Sequence, residues 1–221
     1  MQLGEEGQEL ERDSAGVSAS NGLTQITNRS MTAKLIITGF MATGKSAAGH
    51  LVARRLGWRF ADTDLIIAAR AGKSVAEIFA QHGEAHFRAL EREAIATLTS
   101  RRHHCAQCGN PRPAVISTGG GALVDEQNCS LLKQAGIVVC LTARPETIAA
   151  RVGNSAARRP KLTEGGQPLE QRIRTLMAER ASAYARADVS IDTSDLPLEQ
   201  VAERVIDVFV LREQSRCKPS A

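Results

Sequence analysis

The sequence predicts an α/β fold in which a parallel sheet is covered by helices on both faces. From Lys34 onward, short apolar runs rich in Val and Ile alternate with longer segments of helical periodicity. These short runs lack the alternating polar residues of a sheet with one face in water, so the strands are expected to be buried on both faces. A regular alternation of strand and helix is typical of a parallel sheet. The sequence contains no internal repeats.

The first predicted strand, 35–38, leads into a complete GxxxxGK[ST] motif, Gly39-Phe40-Met41-Ala42-Thr43-Gly44-Lys45-Ser46, and a helix is predicted over 47–56. Glycines let the backbone wrap around phosphates with its N–H groups pointing inward, and the following helix adds its positive N-terminal end. Lys45 would reach the terminal phosphates, and the Ser46 hydroxyl would ligate Mg²⁺. The chain is therefore predicted to use a nucleoside triphosphate.

A second short strand, predicted at 58–61, ends in Asp62-Thr63-Asp64. Ligands of open α/β sheets bind beyond the carboxyl ends of the strands, which is where these carboxylates are expected. The strand period of two would point both side chains the same way. One carboxylate could hold Mg²⁺ through water while the other accepts a hydrogen bond from a substrate hydroxyl. A solvated turn is the alternative, which the neighbouring phosphate loop disfavours.

The middle of the chain continues the alternation. Helical periodicity covers 65–71, Gly72 breaks it, and Ser74 with Glu77 forms a capping box for the next helix. Gly83 separates that helix from a long amphipathic one. The remaining predicted elements are the helix 84–100, a buried strand at 114–118 running into Gly119-Gly120-Gly121, a helix at 126–134, a strand at 137–141, a helix opened by Pro145, a polar loop at 153–168, a helix at 169–185, a strand at 189–191 and a helix at 198–211.

Composition limits the class of ligand. At 221 residues the chain fits one domain with peripheral additions. One Trp and one Tyr are too few for the stacking platforms of single-stranded nucleic-acid binders. The net charge of +4 is mild and lies in Arg-rich local clusters, which suits a small anionic ligand better than a nucleic-acid stripe. We therefore expect no nucleic-acid partner.

The sequence also indicates the cellular compartment of the protein. No apolar run approaches the roughly 20 residues of a membrane span, so no membrane partner is expected. The first 32 residues are polar and predicted to be disordered, without the basic and apolar regions of a secretory signal. Their acidic residues argue against a transit peptide, and translation could start at Met31 as well as Met1. The five cysteines are expected to be free thiols in a reducing cytoplasm.

Several motifs occur in the order and spacing of shikimate kinases. They are the phosphate loop, the Asp62-Thr63-Asp64 turn, Ala85-His86-Phe87-Arg88-Ala89-Leu90-Glu91, Ser117-Thr118-Gly119-Gly120-Gly121, Arg158-Arg159-Pro160, and Glu179-Arg180 with Tyr184. The chain resembles that family over about residues 33–212. The resemblance implies a P-loop kinase fold similar to nucleoside monophosphate kinases, with a five-stranded parallel sheet flanked by helices, a substrate-binding subdomain and a lid. It also implies transfer of the γ-phosphate of ATP to the 3-hydroxyl of shikimate, on the way to chorismate and the aromatic amino acids, by a monomer.

The resemblance implies a role for each matching residue. Asp64 would bind the reacting hydroxyls and act as the base, and Ser46 with Asp62 would hold Mg²⁺. Arg88 and Arg180 would hold the substrate carboxylate, which suits bidentate guanidinium partners. Gly120 would offer its backbone beside the ring, Arg159 in the lid would meet ATP, and Arg151 would assist it. The residues implied on the ATP phosphates are Ala42, Thr43, Gly44, Lys45, Ser46 and Ala47.

Two segments depart from the family pattern. The insertion 101–113 contains Cys105-x-x-Cys108 behind His103 and His104, which hints at zinc. A structural zinc site commonly uses a second ligand pair, and because none is evident a polar surface loop is favoured. On the adenine side, 192–197 offers no side chain that can be assigned. The predicted division is an extension at 1–32, a catalytic domain at 33–212 with a lid at 153–168, and a tail at 213–221.

Two other functions fit part of the sequence. Another small-molecule kinase of this fold, such as a gluconate kinase, would share the phosphate loop and lid, but a neutral polyol does not require Arg88 and Arg180. A non-catalytic nucleotide-binding regulatory module is the other alternative. The sequence shows no output domain such as a helix-turn-helix, and it retains every residue expected to act in catalysis.

Overall fold

The computed structural model describes residues 34–100, 113–153, 162 and 168–216. Five strands form one sheet in the order β2-β3-β1-β4-β5, and every neighbouring pair is parallel. The strands are β1 (Lys34–Gly39), β2 (Arg59–Asp62), β3 (Ala114–Ser117), β4 (Gly136–Thr142) and β5 (Val189–Asp192). The five-stranded parallel sheet predicted for this chain is confirmed.

Seven helices have both ends within the described residues. They are α1 (Lys45–Leu56), α2 (Thr63–Ala71), α3 (Val75–Thr99), α4 (Glu126–Ala135), α5 (Pro145–Val152), α6 (Leu169–Tyr184) and α7 (Leu198–Arg216). A short 3₁₀ turn, Ala122–Val124, follows the glycine triplet. The last helix continues past the predicted end at Leu211 because no Gly or Pro interrupts residues 212–216. Among the described helices, even the 25-residue α3 is too polar to act as a transmembrane segment.

The central strand β1 separates two layers of core. Alternate strand residues point to opposite faces, so Leu35 and Ile37 pack with α1 and α7 while Ile36 packs on the other side. On the first side, the rings of Trp58 and Phe209 meet edge-on with centroids 5.0 Å apart. All three β1 side chains are fully buried. Burial on both faces explains why the strands read as continuous apolar runs.

The order of strands places the ligand site. Strand β1 pairs with β3 on one side and with β4 on the other, so the direction in which strands are added reverses at β1. In open α/β sheets a crevice forms outside the carboxyl ends of the strands at such a reversal. The phosphate loop follows β1 directly, and this topology therefore puts it in that crevice.

Helix α3 is two helical segments joined at a bend. Gly83 has φ 77° and ψ 176°, which no helix contains, so the predicted break is present inside α3. Ser74 caps the first segment by accepting from the Glu77 N–H, while the Glu77 carboxylate accepts from the Ser74 N–H, as predicted. Helix α2 packs on α3 through a separate small core that contains Ile67, Ile78, Phe87 and Ala94.

Candidate active site

The phosphate loop joins β1 to α1 and owes its shape to backbone conformations that few side chains tolerate. Gly39 has φ 131°, and a Cβ at this position would overlap the carbonyl oxygen of Leu141. Gly44, the residue before α1, has φ 93°, and Ala42 has φ 60°. Such positive φ angles favour glycine, so the backbone conformation of the loop explains why Gly39 and Gly44 are glycines.

Two side chains of the loop converge on one carbonyl group. The Thr43 hydroxyl donates to Phe40 O at 2.8 Å, and the Lys45 ammonium donates to the same oxygen, also at 2.8 Å. Thr43 is buried, so its hydrogen bond acts as an internal brace of the loop. Lys45 is the first residue of α1, so its positive charge lies at the helix N-terminus, where backbone N–H groups can bind phosphate.

A cavity of about 430 Å³ lies over this loop. Its walls come from the carboxyl ends of β1, β2 and β3, so it occupies the crevice that the strand order predicts. The walls bring phosphate-loop residues assigned to the nucleotide together with two of the residues assigned to the substrate, Asp64 and Gly120, whereas Arg88 and Arg180 are not part of the lining. The lining side chains and backbone include Ala42, Gly44, Lys45, Ser46, Ala47, Asp62, Asp64 and Gly120.

Asp62 and Asp64 both line the cavity, but not for the predicted reason. Asp62 is the last residue of β2, whereas Asp64 already lies in the first turn of α2, so the period-two argument is wrong. The Asp62 Oδ1 atom accepts from the N–H groups of Asp64, at 3.0 Å, and Leu65, at 3.3 Å. An Asp at this position caps a helix, and α2 therefore begins one residue after the strand ends.

The second oxygen of Asp62 meets the phosphate loop. The Ser46 hydroxyl donates to Asp62 Oδ2 at 2.6 Å, and both residues line the cavity. A hydroxyl and a carboxylate are the hard oxygen ligands that Mg²⁺ takes from proteins, with water and phosphate completing its octahedron. The described residues contain no group of three or more His, Cys, Asp or Glu side chains able to enclose a metal. This pair therefore fits a magnesium ion shared with phosphate rather than a metal held by protein alone.

Arg88 is fixed by two carboxylates on its own helix. Its Nη1 donates to Glu91 Oε2 at 2.7 Å, and its Nη2 donates to Glu84 Oε1 at 3.0 Å. Desolvation alone would lower the pKa of Arg88, but Glu91 and Glu84 hold that pKa above its ordinary value. The guanidinium lies so close to Gly121 that a Cβ there would be 2.8 Å from Arg88 Cζ. Gly121 is therefore the residue that lets this guanidinium reach the end of β3.

Arg180 comes to the same place from α6. Its Nη1 donates to Gly120 O at 3.3 Å, and its guanidinium lies 5.7 Å from the centre of the Phe40 ring. The Tyr184 hydroxyl, one turn further along α6, donates to the same Gly120 oxygen at 2.7 Å. Burial raises the pKa of Tyr184 to about 12, so the hydroxyl keeps its proton. Arg88 and Arg180 thus contact adjacent glycines, which brings the predicted pair together.

Glu91 lies beside Arg88 and Asp64, and the sequence analysis gave it no role of its own. It is fully buried, and its Oε1 has no hydrogen-bond partner among the described residues. A Cβ on Gly119 would lie 2.6 Å from Glu91 Oε1 and 2.8 Å from Asp64 Oδ1, so the two carboxylates converge on one glycine. Desolvation raises the pKa of Glu91 against the opposing effect of Arg88, and Asp64 raises it further. The spacing of three residues between Arg88 and Glu91 on a helix was the feature of the sequence that could have predicted this ion pair.

Thr193 was also missed. This buried residue follows β5, and its hydroxyl lies 3.2 Å from Thr43 O and 3.0 Å from Thr142 O. Arg151 donates to the Thr193 hydroxyl at 3.0 Å and to Thr193 O at 2.6 Å, and it reaches Ala42 O at 3.4 Å. Arg151, expected to assist at ATP, therefore holds the phosphate loop to the end of β5. No motif marks Thr193, which lies in the segment where no assignment was possible.

Some predicted residues lie outside the described part of the chain. They include Arg159 and most of the segment 153–168, the insertion with His103, His104, Cys105 and Cys108, and the terminal segments 1–33 and 217–221. Leu162 is described, and it is buried in a cluster with Phe40 and Ile148. Cys129 and Cys140 are buried free thiols, and burial raises the pKa of Cys140 to about 11.

Comparisons with known proteins identify the family to which this chain is similar. The family model described as shikimate kinase matches residues 41–210. A shikimate kinase of Geobacter metallireducens is 44% identical over 77% of this chain and 88% of its own, and one of Caldanaerobacter subterraneus is 40% identical over 80% and 95%. Among solved structures, a shikimate kinase from Acinetobacter baumannii in complex with shikimate has a TM-score of 0.73 at 29% identity, covering 87% of this chain and 99% of its own. A shikimate kinase from Aquifex aeolicus has a TM-score of 0.65 at 32% identity, covering 82% and 98%.

Proposed function

This chain belongs to the shikimate kinase family, and we propose that its cavity transfers the γ-phosphate of ATP to the 3-hydroxyl of shikimate. One observation supports the substrate most directly. Arg88 and Arg180, from two different helices, approach the adjacent glycines Gly121 and Gly120, and Gly120 lines the same cavity as the phosphate loop and Asp64. A site that must hold a phosphate donor and a carboxylate-bearing alcohol together needs this combination.

The phosphate loop provides the nucleotide half of the site. Its N–H groups and the N-terminus of α1 bind the phosphates, and Lys45 exchanges the Phe40 carbonyl for phosphate oxygens. Phosphoryl transfer depends mainly on positioning and on neutralising charge, both of which this loop can supply. Ser46 and Asp62 would hold Mg²⁺, which neutralises phosphate charge when bound. Arg159 would add a further positive charge to ATP from the lid.

The arginine pair provides the carboxylate half. Arg88 already donates Nη1 to buried Glu91 and Nη2 to Glu84, whose side chain is 43% exposed. The incoming carboxylate would take the place of Glu84, because displacing an exposed partner costs less than displacing a buried one. Glu91 keeps the guanidinium plane fixed during this exchange. Arg180 and the backbone of Gly120 complete the pocket.

Asp64 acts as the base. It lines the cavity at the start of α2, and its position is fixed by the Asp62 cap and by Thr63, whose hydroxyl accepts from the Gly119 N–H at 3.0 Å. As the 3-hydroxyl oxygen attacks the γ-phosphorus, the bond to the β–γ bridging oxygen breaks, and the hydroxyl proton passes to the Asp64 carboxylate. The products are shikimate 3-phosphate and ADP.

The proposal extends to the setting of the enzyme. We place it in the cytoplasm as a monomer, with residues 1–32 and the last residues of the chain outside the catalytic domain. The buried free thiols Cys129 and Cys140 support a reducing compartment. The two alternatives from the sequence, a gluconate kinase and a non-catalytic module, are disfavoured by the family relationship and by the paired arginines.

A direct assay tests the function. The purified chain is incubated with ATP and Mg²⁺ in three separate reactions, which contain shikimate, gluconate or a shikimate analogue without the carboxylate. The masses of the products are measured by mass spectrometry. We expect shikimate alone to gain one phosphoryl group at a high rate. ATP hydrolysis without transfer to shikimate, or faster transfer to gluconate, would contradict the proposal.

A further inference from the structure

A second cavity, of about 280 Å³, opens between α2 and α3. It shares no lining residue with the active-site cavity. Its volume lies below the range of drug-sized ligand sites, so it suits a small ligand. Ile78 and Leu90 supply apolar surface, while the remaining lining is dominated by groups that carry or can acquire charge: Arg70, Lys73, His82, His86 and Glu93.

These charged groups come together from two helices. Arg70 lies in the last turn of α2, and Lys73 follows the Gly72 residue that ends this helix. His82 lies just before the bend of α3 and His86 just after it, with ring centroids 4.9 Å apart. The Lys73 ammonium reaches across to His82 Nε2 at 3.3 Å. Both imidazoles line the cavity, although the bend at Gly83 lies between them in sequence.

The contact between Lys73 and His82 depends on the charge of the imidazole. An ammonium group can only donate, so Nε2 of a neutral His82 must be the acceptor. Histidine is the side chain that gains charge as the pH falls from 8 to 5. Once His82 is protonated, Nε2 can no longer accept, and two positive charges face each other across 3.3 Å. A negatively charged ligand between them would accept from both groups and remove the repulsion.

We infer that this cavity binds a small tetrahedral dianion, such as a phosphate monoester or sulfate, between Arg70, Lys73, His82 and His86. At high pH the permanent positive charges are Arg70 and Lys73, and the carboxylates near them are Glu93 in the lining and Glu77, which interacts with Lys73. Protonation of the two imidazoles adds two positive charges. Binding is therefore coupled to proton uptake and strengthens as the pH falls. This inference does not depend on the kinase activity.

A ligand at this site would bridge the two helices that present substrate-binding residues. Arg70 follows Asp64 by six residues on α2, which is about 9 Å of helix, and His86 precedes Arg88 by two residues on α3. The dianion would hold the two helices together at a point that is separate from the substrate itself. This consequence, unlike the binding, rests on the proposed function.

Sulfate is a suitable probe because its charge is constant between pH 6 and 8. The full chain is first saturated with ADP and Mg²⁺, so that the phosphate loop is occupied, and sulfate is then titrated against matched ionic strength of chloride. Histidine ring resonances are followed by NMR and assigned with His82→Gln and His86→Gln. We expect saturable shifts of both rings, with affinity about tenfold higher at pH 6 than at pH 8.

Variants separate a site from general charge effects. Lys73→Gln and Arg70→Gln should each weaken sulfate binding about tenfold or more, since each removes a charged hydrogen-bond donor. Glu93→Gln should tighten it, and Arg204→Gln, which removes an exposed charge on α7, should leave it unchanged. Non-saturable shifts, equal shifts with chloride, equal affinity at both pH values, or equal responses in Lys73→Gln and Arg204→Gln would each overturn the inference.

Discussion

The Ser46 hydroxyl donates to Asp62 Oδ2 across 2.6 Å, which ties the first turn of α1 to the end of β2. The other Asp62 oxygen caps α2, the helix that carries Asp64. One carboxylate therefore connects the phosphate loop, the proposed magnesium site and the helix of the proposed base. Its two oxygens have separate functions, and substitutions can distinguish them.

The first prediction separates Asp62 from Asp64. Asp62→Asn should raise the Mg²⁺ concentration needed for half-maximal activity, because an amide is a weaker magnesium ligand than a carboxylate. It should barely change the free energy of unfolding, since Asn caps helices as well as Asp does. Asp62→Ala should also lower the free energy of unfolding by about 1 kcal/mol, because the cap is lost. Chemical denaturation and Mg²⁺ titrations measure the two effects.

Asp64→Asn is the matched comparison. It should bind ATP normally and keep the parental Mg²⁺ dependence, but lose about 10²- to 10⁴-fold in kcat, because the amide cannot accept the hydroxyl proton. Identical Mg²⁺ titrations for Asp62→Asn and Asp64→Asn would show that the proposed division of roles is wrong.

The second prediction concerns Lys45. Lys45→Met should abolish measurable turnover while leaving the circular dichroism spectrum and the melting temperature close to the parent's. The reason is that the ammonium contacts a loop carbonyl at the edge of the cavity, so the fold does not depend on its charge. Activity near the parental value in a folded variant would contradict the proposed role of the phosphate loop in catalysis.

The sequence predicted most elements of the fold because their signals are local. The apolar strands, the Ser74–Glu77 capping box and the break at Gly83 each depend on neighbours within a few residues. The site was predicted where a motif fixes the backbone, as in the phosphate loop. Thr193 could not be found, because its contact with Thr43 spans 150 residues and no spacing rule encodes it. The predicted shared direction of the Asp62 and Asp64 side chains was wrong, because Asp62 caps a helix at the point where the strand was expected to continue.

The third prediction follows from the burial of Glu91. Its pKa is raised mainly by desolvation, so the folded protein holds this proton to a higher pH than the unfolded chain does. The contribution of this group to stability is then greatest below the unfolded pKa of about 4.3 and declines as the pH rises through the folded pKa. The parent should therefore gain stability relative to Glu91→Gln as the pH is lowered from 7 towards 4.5.

Urea denaturation of both proteins at several pH values tests this sign. A stability difference that stays constant, or that shifts towards Glu91→Gln on acidification, would contradict it. The same variant should raise the KM for shikimate with little effect on the KM for ATP, because Arg88 loses the charged partner that fixes its plane. This kinetic readout distinguishes positioning of Arg88 from a purely structural role.

The fourth prediction uses Gly121. In Gly121→Ala the new Cβ would lie within 3 Å of the Arg88 guanidinium, which must move away. Because the displaced group is the end of a flexible side chain, the melting temperature should change little. The KM for shikimate should rise while the KM for ATP stays near the parental value. An unchanged KM for shikimate would mean that Arg88 does not need this close approach to bind substrate.

The fifth prediction addresses the arginine pair. A hydrogen bond to a charged group contributes about 1.5–3 kcal/mol, which corresponds to about 10- to 150-fold in binding. Arg88→Ala or Arg180→Ala should raise the shikimate KM by that range and leave ATP affinity nearly unchanged. Arg→Lys at either position should recover part of the loss, since an ammonium keeps the charge but lacks the planar fork. Arg92→Ala, which removes a partly exposed arginine of α3 paired with Asp125, is the matched control and should change neither constant.

The double variant tests whether the two arginines hold one group. Arg88 and Arg180 approach adjacent glycines, so a single carboxylate can contact both, and their effects on KM should be non-additive. A shikimate analogue without the carboxylate should bind the parent poorly and lose little more in either variant. Additive effects, or equal losses for shikimate and for the analogue, would show that the arginines contact different groups. Weaker ATP binding with unchanged shikimate binding would assign the pair to the nucleotide, and the substrate proposal would lose its main physical support.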